Sequence, residues 1–297
     1  MVGQVISGNE VAKSIRAELK GEVAKMNAGG ITPGLVVIIV GEDPASQVYV
    51  RKKGEACQEL GIYSETVRLP ASASEDELLE LIDKYNKDPK FDGILVQLPL
   101  PKHISEGKVL LRLDPGKDVD GFHPVNVGKM VVGAEDCYLP CTPAGIQELL
   151  VRSGNDPKGK HVVVLGRSNI VGKPITNILL QKAPGADATV TICHSRTQNL
   201  QNFTRQADIV IAAMGSPAFV KADMVKDGVV VIDVGVNRIN DPQAKGGCRL
   251  VGDVDFEPVK AKAKAITPVP GGVGPMTITM LMKNTVKAAK IHHKWKD

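Results

Sequence analysis

The five cysteines, Cys57, Cys137, Cys141, Cys193 and Cys248, include no CxxC pair. An odd, scattered set of this kind suggests neither a disulfide framework nor a zinc site. It fits a reducing compartment, so a cytoplasmic protein is expected. Excess charge is also missing. The 37 Lys and Arg against 33 Asp and Glu leave a formal net charge of +4, too small and too dispersed to indicate a nucleic acid or a membrane surface as partner. Acidic small molecules stay open as ligands. No apolar run approaches the ~18 residues of a membrane span. The opening MVGQVISGNEVAKSIRAELK is polar and passes at once into an amphipathic helical pattern. Neither a secretory signal nor an Arg-rich transit peptide is expected, because Glu10 and Glu18 come early. Short-period repeats and low-complexity segments are lacking too.

What is present is an ordinary composition, 43% hydrophobic and 24% charged, over 297 residues, a length that suits two domains. Apolar, β-branched runs alternate with helical patterns: LVVIIV (35–40), GILVQLPL (93–100), HVVVLG (161–166), ATVTIC (188–193), DIVIAAMG (208–215) and GVVVIDVG (228–235). Continuous apolar strands are buried on both faces, as in parallel sheets covered by helices, so the fold class is α/β. The break between halves falls near LPCTPAGIQELL (139–150), where a helix is predicted with Thr142 as its cap and Pro143 as its first residue. A further basic helix over 275–297 could return to pack on the first domain.

In SQVYVRKKGEAC (46–57), three consecutive cations follow a tyrosine. At about 100° per residue, Ala45, Tyr49, Ala56, Cys57 and Leu60 share one helix face, and Lys53 falls inside that arc. Arg51 points nearly the opposite way, and Lys52 sits at the edge. An ammonium among apolar neighbours loses solvation, which lowers its pKa toward a useful range. A lysine snorkelling at a helix edge is the alternative that this segment leaves open.

HVVVLGRSNIVGKPITNILL (161–180) reads as strand, glycine turn and helix, the order of a nucleotide-binding βαβ unit. Its spacing is not GxGxxG, since Ser168 stands where the second glycine is expected. The next strand ends in His194, Ser195, Arg196 and Thr197 rather than in the Asp or Glu that would accept from an adenine ribose 2′-OH. With Arg167 in the first turn, cations and hydroxyls could surround a 2′-phosphate, which favours NADP over NAD. Solvated loop residues are the alternative for Arg167 and Arg196. His194 reads as structural, and no metal site is expected. Gln97, where an apolar strand ends, and Asp118 and Asp120, in a loop before the domain break, occupy positions typical of site residues. Gln97 could bond the Lys53 amine, and either kind of residue could instead cap a turn. ITPVPGGVGPMTITML (266–281) combines rigid prolines with glycines that let backbone approach a flat ligand; a tight loop leading into a helix capped near Thr277 would look similar.

YVRKK, VQLPLP, KDVDGF, PCTPAG, VVVLGRSNIVGKP and ITPVPGGVGPMT, in this order along nearly the whole chain, resemble the bifunctional methylenetetrahydrofolate dehydrogenase/methenyltetrahydrofolate cyclohydrolase family. The resemblance implies an α/β folate-binding domain over 1–142, completed by the C-terminal helix 275–297. It also implies a Rossmann-type NADP domain over 143–274, a cleft joining the two, and a homodimer. The implied chemistry is NADP-dependent oxidation of 5,10-methylenetetrahydrofolate to 5,10-methenyltetrahydrofolate, then hydrolysis to 10-formyltetrahydrofolate. By matching position, Lys53 is the implied general acid/base, held by Gln97. Tyr49 would stack on the folate, Asp120 would bond the pterin, and Pro270, Gly271 and Gly274 would approach the ligand. Gly166, Arg167, Ser168 and Ser195 would hold the dinucleotide, with Arg196 beside them. Because the sequence ends at Asp297, the synthetase segment fused to some relatives is expected to be a separate protein. A monofunctional dehydrogenase, a non-catalytic NADP-binding module and a generic NADP-dependent dehydrogenase for another substrate are the competing readings.

Overall fold

Two parallel sheets and one antiparallel hairpin make up the β-structure of the computed structural model, which describes residues 3–243 and 247–295, the Ala45 side chain excepted. The chain opens with a short strand, β1 (Gln4–Val5), and a long helix, α1 (Gly8–Ala28). It then enters a three-stranded sheet made of β2 (Gly34–Val40), β3 (Tyr63–Leu69) and β4 (Gly93–Val96), in the order β3-β2-β4. All seven residues of β2 are buried, as a central strand covered on both faces requires. β3, YSETVRL, is a polar edge strand with alternating exposure, so it offers no apolar run for sequence reading to find. The run expected over 93–100 leaves the strand after Val96 with one further ladder bond, from the Gln97 N–H, because Pro99 and Pro101 have no N–H to extend it.

Helix α2 (Pro44–Leu60) joins β2 to β3, and its ends are fixed locally. The Asp43 carboxylate accepts from the Ser46 N–H at 2.8 Å, Pro44 supplies the first turn, and Gly61 closes the helix in a left-handed conformation. Helix α3 (Glu75–Lys87) starts on a capping box, with the Glu77 N–H donating to Ser74 Oγ at 3.1 Å and the Ser74 N–H to Glu77 Oε2 at 2.7 Å. Its Leu78, Ile82 and Tyr85 pack with Val36, Ile38, Phe91 and Ile94 as the core over this sheet. Helices α4 (Glu106–Arg112) and α5 (Pro124–Val131) follow.

Helix α6 (Cys141–Arg152) begins before the predicted cap, and the Thr142 hydroxyl lies 2.8 Å from that of Thr277 instead. Beyond it come β5 (His161–Leu165), α7 (Gly172–Leu179), β6 (Thr189–Cys193), α8 (Leu200–Thr204), β7 (Ile209–Ala212), β8 (Val230–Asp233), the hairpin β9 (Asn237–Asn240) and β10 (Cys248–Val251), α9 (Phe256–Lys260), β11 (Ala265–Ile266) and α10 (Val273–His292). The six-stranded sheet runs β1-β11-β8-β7-β5-β6 with every neighbouring pair parallel. All six apolar runs picked out in the sequence contain strands of the two sheets. Helix α10 starts ahead of Thr277, its first turn carrying Pro275, which lacks only an N–H that the helix would leave unpaired.

The chain divides into two compact units, Met1–Lys13 with Thr142–Thr277, and Ser14–Cys141 with Ile278–Asp297. The segment before α1 therefore groups with the six-stranded sheet, and the reason is register: Gln4 and Val5 pair with Ala265 and Ile266. The second part of α10 groups with the three-stranded sheet, where Met282 Sδ lies 3.5 Å from Cys57 Sγ. Among the described residues, no helix is long and apolar enough to cross a membrane.

Candidate active site

In α2 the buried face consists of Ser46, Val50, Lys53, Cys57 and Leu60, a three-and-four spacing with Ala56 beside it. Lys53 is thus the one cation turned inward. Arg51 and Lys52 are exposed, and Arg51 pairs with Glu55 on the solvent side at 3.6 Å. Tyr49 shares the Lys53 side of the helix one turn earlier but stays 41% exposed, so its ring stands at the rim rather than in the core. Burial pushes the Lys53 ammonium below its usual range, and the negative charge of Asp120 partly restores it. The Lys53 Nζ donates to Gln97 Oε1 at 2.9 Å.

Gln97 reaches that point because its backbone N–H continues the β4 ladder to Ile38 O at 2.8 Å. Its side-chain amide Nε2 donates to Leu98 O at 2.7 Å, which leaves Oε1 for the lysine. The loop 117–121 is strapped along the same strand. The Ile94 N–H donates to Lys117 O at 2.8 Å, and Ile94 bridges to Asp118. Asp118, 1% exposed, accepts from the His123 N–H at 2.8 Å and from Asn126 Nδ2 at 2.9 Å, and burial raises its carboxyl to about 6. Asp118 therefore braces the loop, and Asp120 is the carboxylate that acts on Lys53. Asp120 too is raised by desolvation, with Lys53 pulling it back down. Gly121 takes φ 77 and stands where a Cβ would come within 2.7 Å of the Leu139 and Pro140 backbone, so only glycine closes this turn.

Two further residues complete this centre: Asn284, which has no sequence signal, and Cys141, visible in the sequence only as part of PCTPAG. The Asn284 Nδ2 on α10 donates to Val119 O at 2.8 Å and Leu139 O at 2.9 Å, holding the loop beside Asp120 from 145 or more positions away. The buried Cys141 thiol donates to Val119 O at 3.5 Å and is pushed well above its usual range by burial, with the nearby charge of Asp120 acting in the same direction.

The nucleotide-like turn lies after β5, in the six-stranded unit. Gly166 has φ 117, and a Cβ there would meet Ala213 O at 2.1 Å; a Cβ on Gly172 would meet Gly166 O at the same distance. Ser168 Oγ accepts from the Val171 N–H at 3.1 Å and the Gly172 N–H at 3.4 Å, which shapes the entry to α7. Arg167, Ser168, Ser195 and Arg196 are all exposed, the last two after β6, whose neighbour in the sheet is β5. Backbone that tolerates no side chain, next to two exposed arginines, fits a dinucleotide bearing an extra phosphate. His194 Nδ1 accepts from the Arg196 N–H at 3.1 Å, a turn contact. In the loop before α10, Gly271 has φ 100 and its carbonyl accepts from the Gly8 N–H at 2.9 Å. Gly274 stands with nothing within 4 Å of a notional Cβ, so packing does not explain its lack of a side chain. Among the described residues no group of three or more His, Cys, Asp or Glu is arranged to hold a metal ion.

Comparison with known proteins matches residues 6–120 to the tetrahydrofolate dehydrogenase/cyclohydrolase catalytic domain and residues 140–293 to the NAD(P)-binding domain of the same enzymes. The chain is 60% identical over 295 residues to the bifunctional protein FolD of Syntrophobacter fumaroxidans, covering 99% of each. It is 59% identical over 290 residues to that of Moorella thermoacetica, covering 98% of this chain and 100% of the other. Among solved structures, it superposes with a TM-score of 0.92 on the Trypanosoma brucei N5,N10-methylenetetrahydrofolate dehydrogenase-cyclohydrolase complexed with NADP cofactor and inhibitor, at 41% identity and 99% coverage of both chains. The bifunctional FolD enzyme of Campylobacter jejuni gives a TM-score of 0.91 at 48% identity, over 97% of this chain and 99% of that one.

Proposed function

The chain belongs to the tetrahydrofolate dehydrogenase/cyclohydrolase family, and from that premise we propose how its own residues divide the work. It is a bifunctional enzyme of one-carbon folate chemistry: 5,10-methylenetetrahydrofolate is oxidised with NADP to the methenyl cation, which is hydrolysed to 10-formyltetrahydrofolate. A monofunctional dehydrogenase, a non-catalytic module and a dehydrogenase for another substrate are disfavoured by the bifunctional relatives and by the Lys53 and Gln97 pair.

NADP supplies a hydride acceptor when bound. Gly166 and Ser168 form the backbone turn proposed to receive its phosphates, while Arg167 and Ser195, with Arg196 beside them, would hold the 2′-phosphate. For the oxidation, the protein's contribution is alignment of the two reacting carbons and exclusion of water. Tyr49, held at the helix rim, offers an aromatic face to the folate, and Asp120 an acceptor to the donor edge of the pterin. The backbone at Pro270, Gly271 and Gly274 approaches the same substrate, a role that the free space beside Gly274 supports.

Hydrolysis needs three proton movements. Water adds to the methenyl carbon and must lose a proton, N5 must gain one as its bond to that carbon breaks, and the remaining hydroxyl proton leaves to solvent as the formyl C=O forms, the net proton of the reaction. Lys53 does the first two: its neutral amine accepts the first proton, and the resulting ammonium returns it to N5. Desolvation favours the neutral amine relative to an exposed lysine, Asp120 limits how far the pKa falls, and Gln97 fixes where the lone pair points. The observation that carries this reading is the buried Lys53 with Gln97 Oε1 as its one side-chain acceptor among the described residues, at 2.9 Å. We place the enzyme in the cytoplasm, which its five unpaired cysteines support.

The test follows absorbance of the methenyl product from methylenetetrahydrofolate with NADP and with NAD, then the decay of methenyltetrahydrofolate without nucleotide. Turnover with NADP and nucleotide-independent decay are expected. Turnover without that decay would remove Lys53 from its role.

A further inference from the structure

The six-stranded sheet changes direction at β5, whose two neighbours are β6 and β7. Loops leaving the carboxyl ends of strands flanking such a switch point form the nucleotide floor of a doubly wound sheet. Here the loop after β5 contains Gly166 and the loop after β7 contains residues 213–217. The two loops touch, since the Ala213 carbonyl occupies the space that a Gly166 Cβ would need. What holds the second loop is therefore what sets the shape of the first.

That hold is a single buried carboxylate. Asp253 lies beyond β10 and is 0% exposed. Its Oδ2 accepts from the Met214 N–H at 2.6 Å and the Gly215 N–H at 2.9 Å. Its Oδ1 accepts from the Ser216 N–H at 2.8 Å and from Asn237 Nδ2, after β8, at 2.9 Å. Three successive amides converging on one anion make the concave nest that elsewhere receives phosphate. In this protein the chain fills the nest itself, so those amides serve to position the loop rather than to bind ligand.

Asp253 is itself fixed by the end of β8. Its N–H donates to Asp233 Oδ1 at 2.9 Å, beside the Gly235 N–H on the same oxygen at 2.9 Å, and the Val254 N–H donates to Asp233 Oδ2 at 3.0 Å. The Asp233 N–H in turn donates to Thr267 Oγ1 at 2.7 Å. No side chain fits between the two carboxylates and the glycines facing them. A Cβ on Gly235 would lie 2.3 Å from Asp253 Oδ1, and one on Gly252 would lie 1.8 Å from Asp233 Oδ2.

We propose that Asp253 is a positioning residue of the NADP site, holding Met214, Gly215 and Ser216 so that Ala213 abuts Gly166 and the turn after β5 keeps the shape that the dinucleotide requires. The inference rests on the assignment of Gly166 to the NADP turn. It separates the two activities, because the hydrolysis assigned to Lys53 uses no nucleotide.

The experiment measures NADP affinity by isothermal titration calorimetry, KM for NADP, and nucleotide-independent hydrolysis of methenyltetrahydrofolate, for the parent enzyme, Asp253→Asn and Asn237→Ala. An asparagine offers one acceptor oxygen where the carboxylate offers two, so two of the four donors then face an amide N–H. The Kd and KM for NADP are expected to rise roughly 10–100-fold in Asp253→Asn, the usual cost of charge-assisted hydrogen bonds. Cyclohydrolase turnover should stay within about twofold of the parent, a split that a general loss of structure does not produce. Asn237→Ala keeps the carboxylate and removes one donor, and a rise of about 3–10-fold in Kd is expected. NADP affinity unchanged in Asp253→Asn would overturn the proposal, as would equal loss of both activities in Asn237→Ala. If Asp253→Asn does not fold, the Asn237→Ala affinity decides by the same criterion. Failure of the parent to bind NADP would overturn the cofactor assignment as well, whereas parental binding with unaltered variants overturns this proposal alone.

Discussion

Lys53 Nζ donates to Gln97 Oε1 at 2.9 Å across 44 positions of sequence, joining the inward face of α2 to the carboxyl end of β4. Both ends of that bond are set by secondary structure. Asp43, Pro44 and Gly61 determine the rotation of the helix, and the ladder bond from Gln97 to Ile38 determines where the strand ends. The lysine is thereby buried against a side-chain partner, a state an isolated surface lysine does not reach.

Replacing Lys53 by methionine keeps the length and removes the transferable proton. Cyclohydrolase turnover should fall by ~10²–10⁴-fold, the usual contribution of a general acid/base. The thermal midpoint should not fall, because an apolar chain replaces a desolvated ammonium. The decay of methenyltetrahydrofolate and a melting curve check both statements, and retention of most of the activity would refute the role.

The charge of Asp120 raises the pKa of Lys53 against the larger lowering by burial. In Asp120→Asn that support is gone and the lysine pKa falls further. The neutral amine then forms at lower pH, so the ascending limb of the cyclohydrolase pH profile should move to lower pH than in the parent. A limb that stays in place or moves upward would mean that another group sets it.

Asp118, held at about 6 chiefly by burial, links stability to pH. Its folded pKa lies above the unfolded value, so the stability it contributes is full below about pH 4 and is lost as pH rises through about 6, on the order of 2–3 kcal/mol. Asp118→Asn lacks this titration. The stability of the variant relative to the parent should therefore increase between pH 4 and pH 7, as read by urea unfolding at both values. A constant difference would show that Asp118 keeps an ordinary pKa.

Arg167 and Arg196 are exposed, so truncating them together leaves the core untouched. The double alanine variant should lose roughly 10–100-fold in kcat/KM with NADP and little with NAD, since only the former carries the 2′-phosphate. Equal losses with both nucleotides would place the arginines elsewhere on the cofactor.

Much of this enzyme follows from local sequence physics. The apolar runs that became strands of the parallel sheets, the glycine turn at Gly166 and the inward angle of Lys53 depend on periodicity, capping and the conformational freedom of glycine, all properties of a few neighbouring residues. The edge strand β3 escaped because its alternating polar sequence carries no apolar run. The hairpin of β9 and β10 lacks one also, its eight residues being only partly covered or exposed. Tertiary structure alone decided the rest. Asp118 and Asp120 are chemically the same two residues apart, yet one accepts from His123 and Asn126 and braces the loop while the other acts on Lys53. Asn284 reaches Val119, and Asp253 gathers the amides of 214–216, through contacts that close only after the chain has folded. A carboxylate's role is set by which donors and charges surround it, and that surrounding comes from residues distant in sequence.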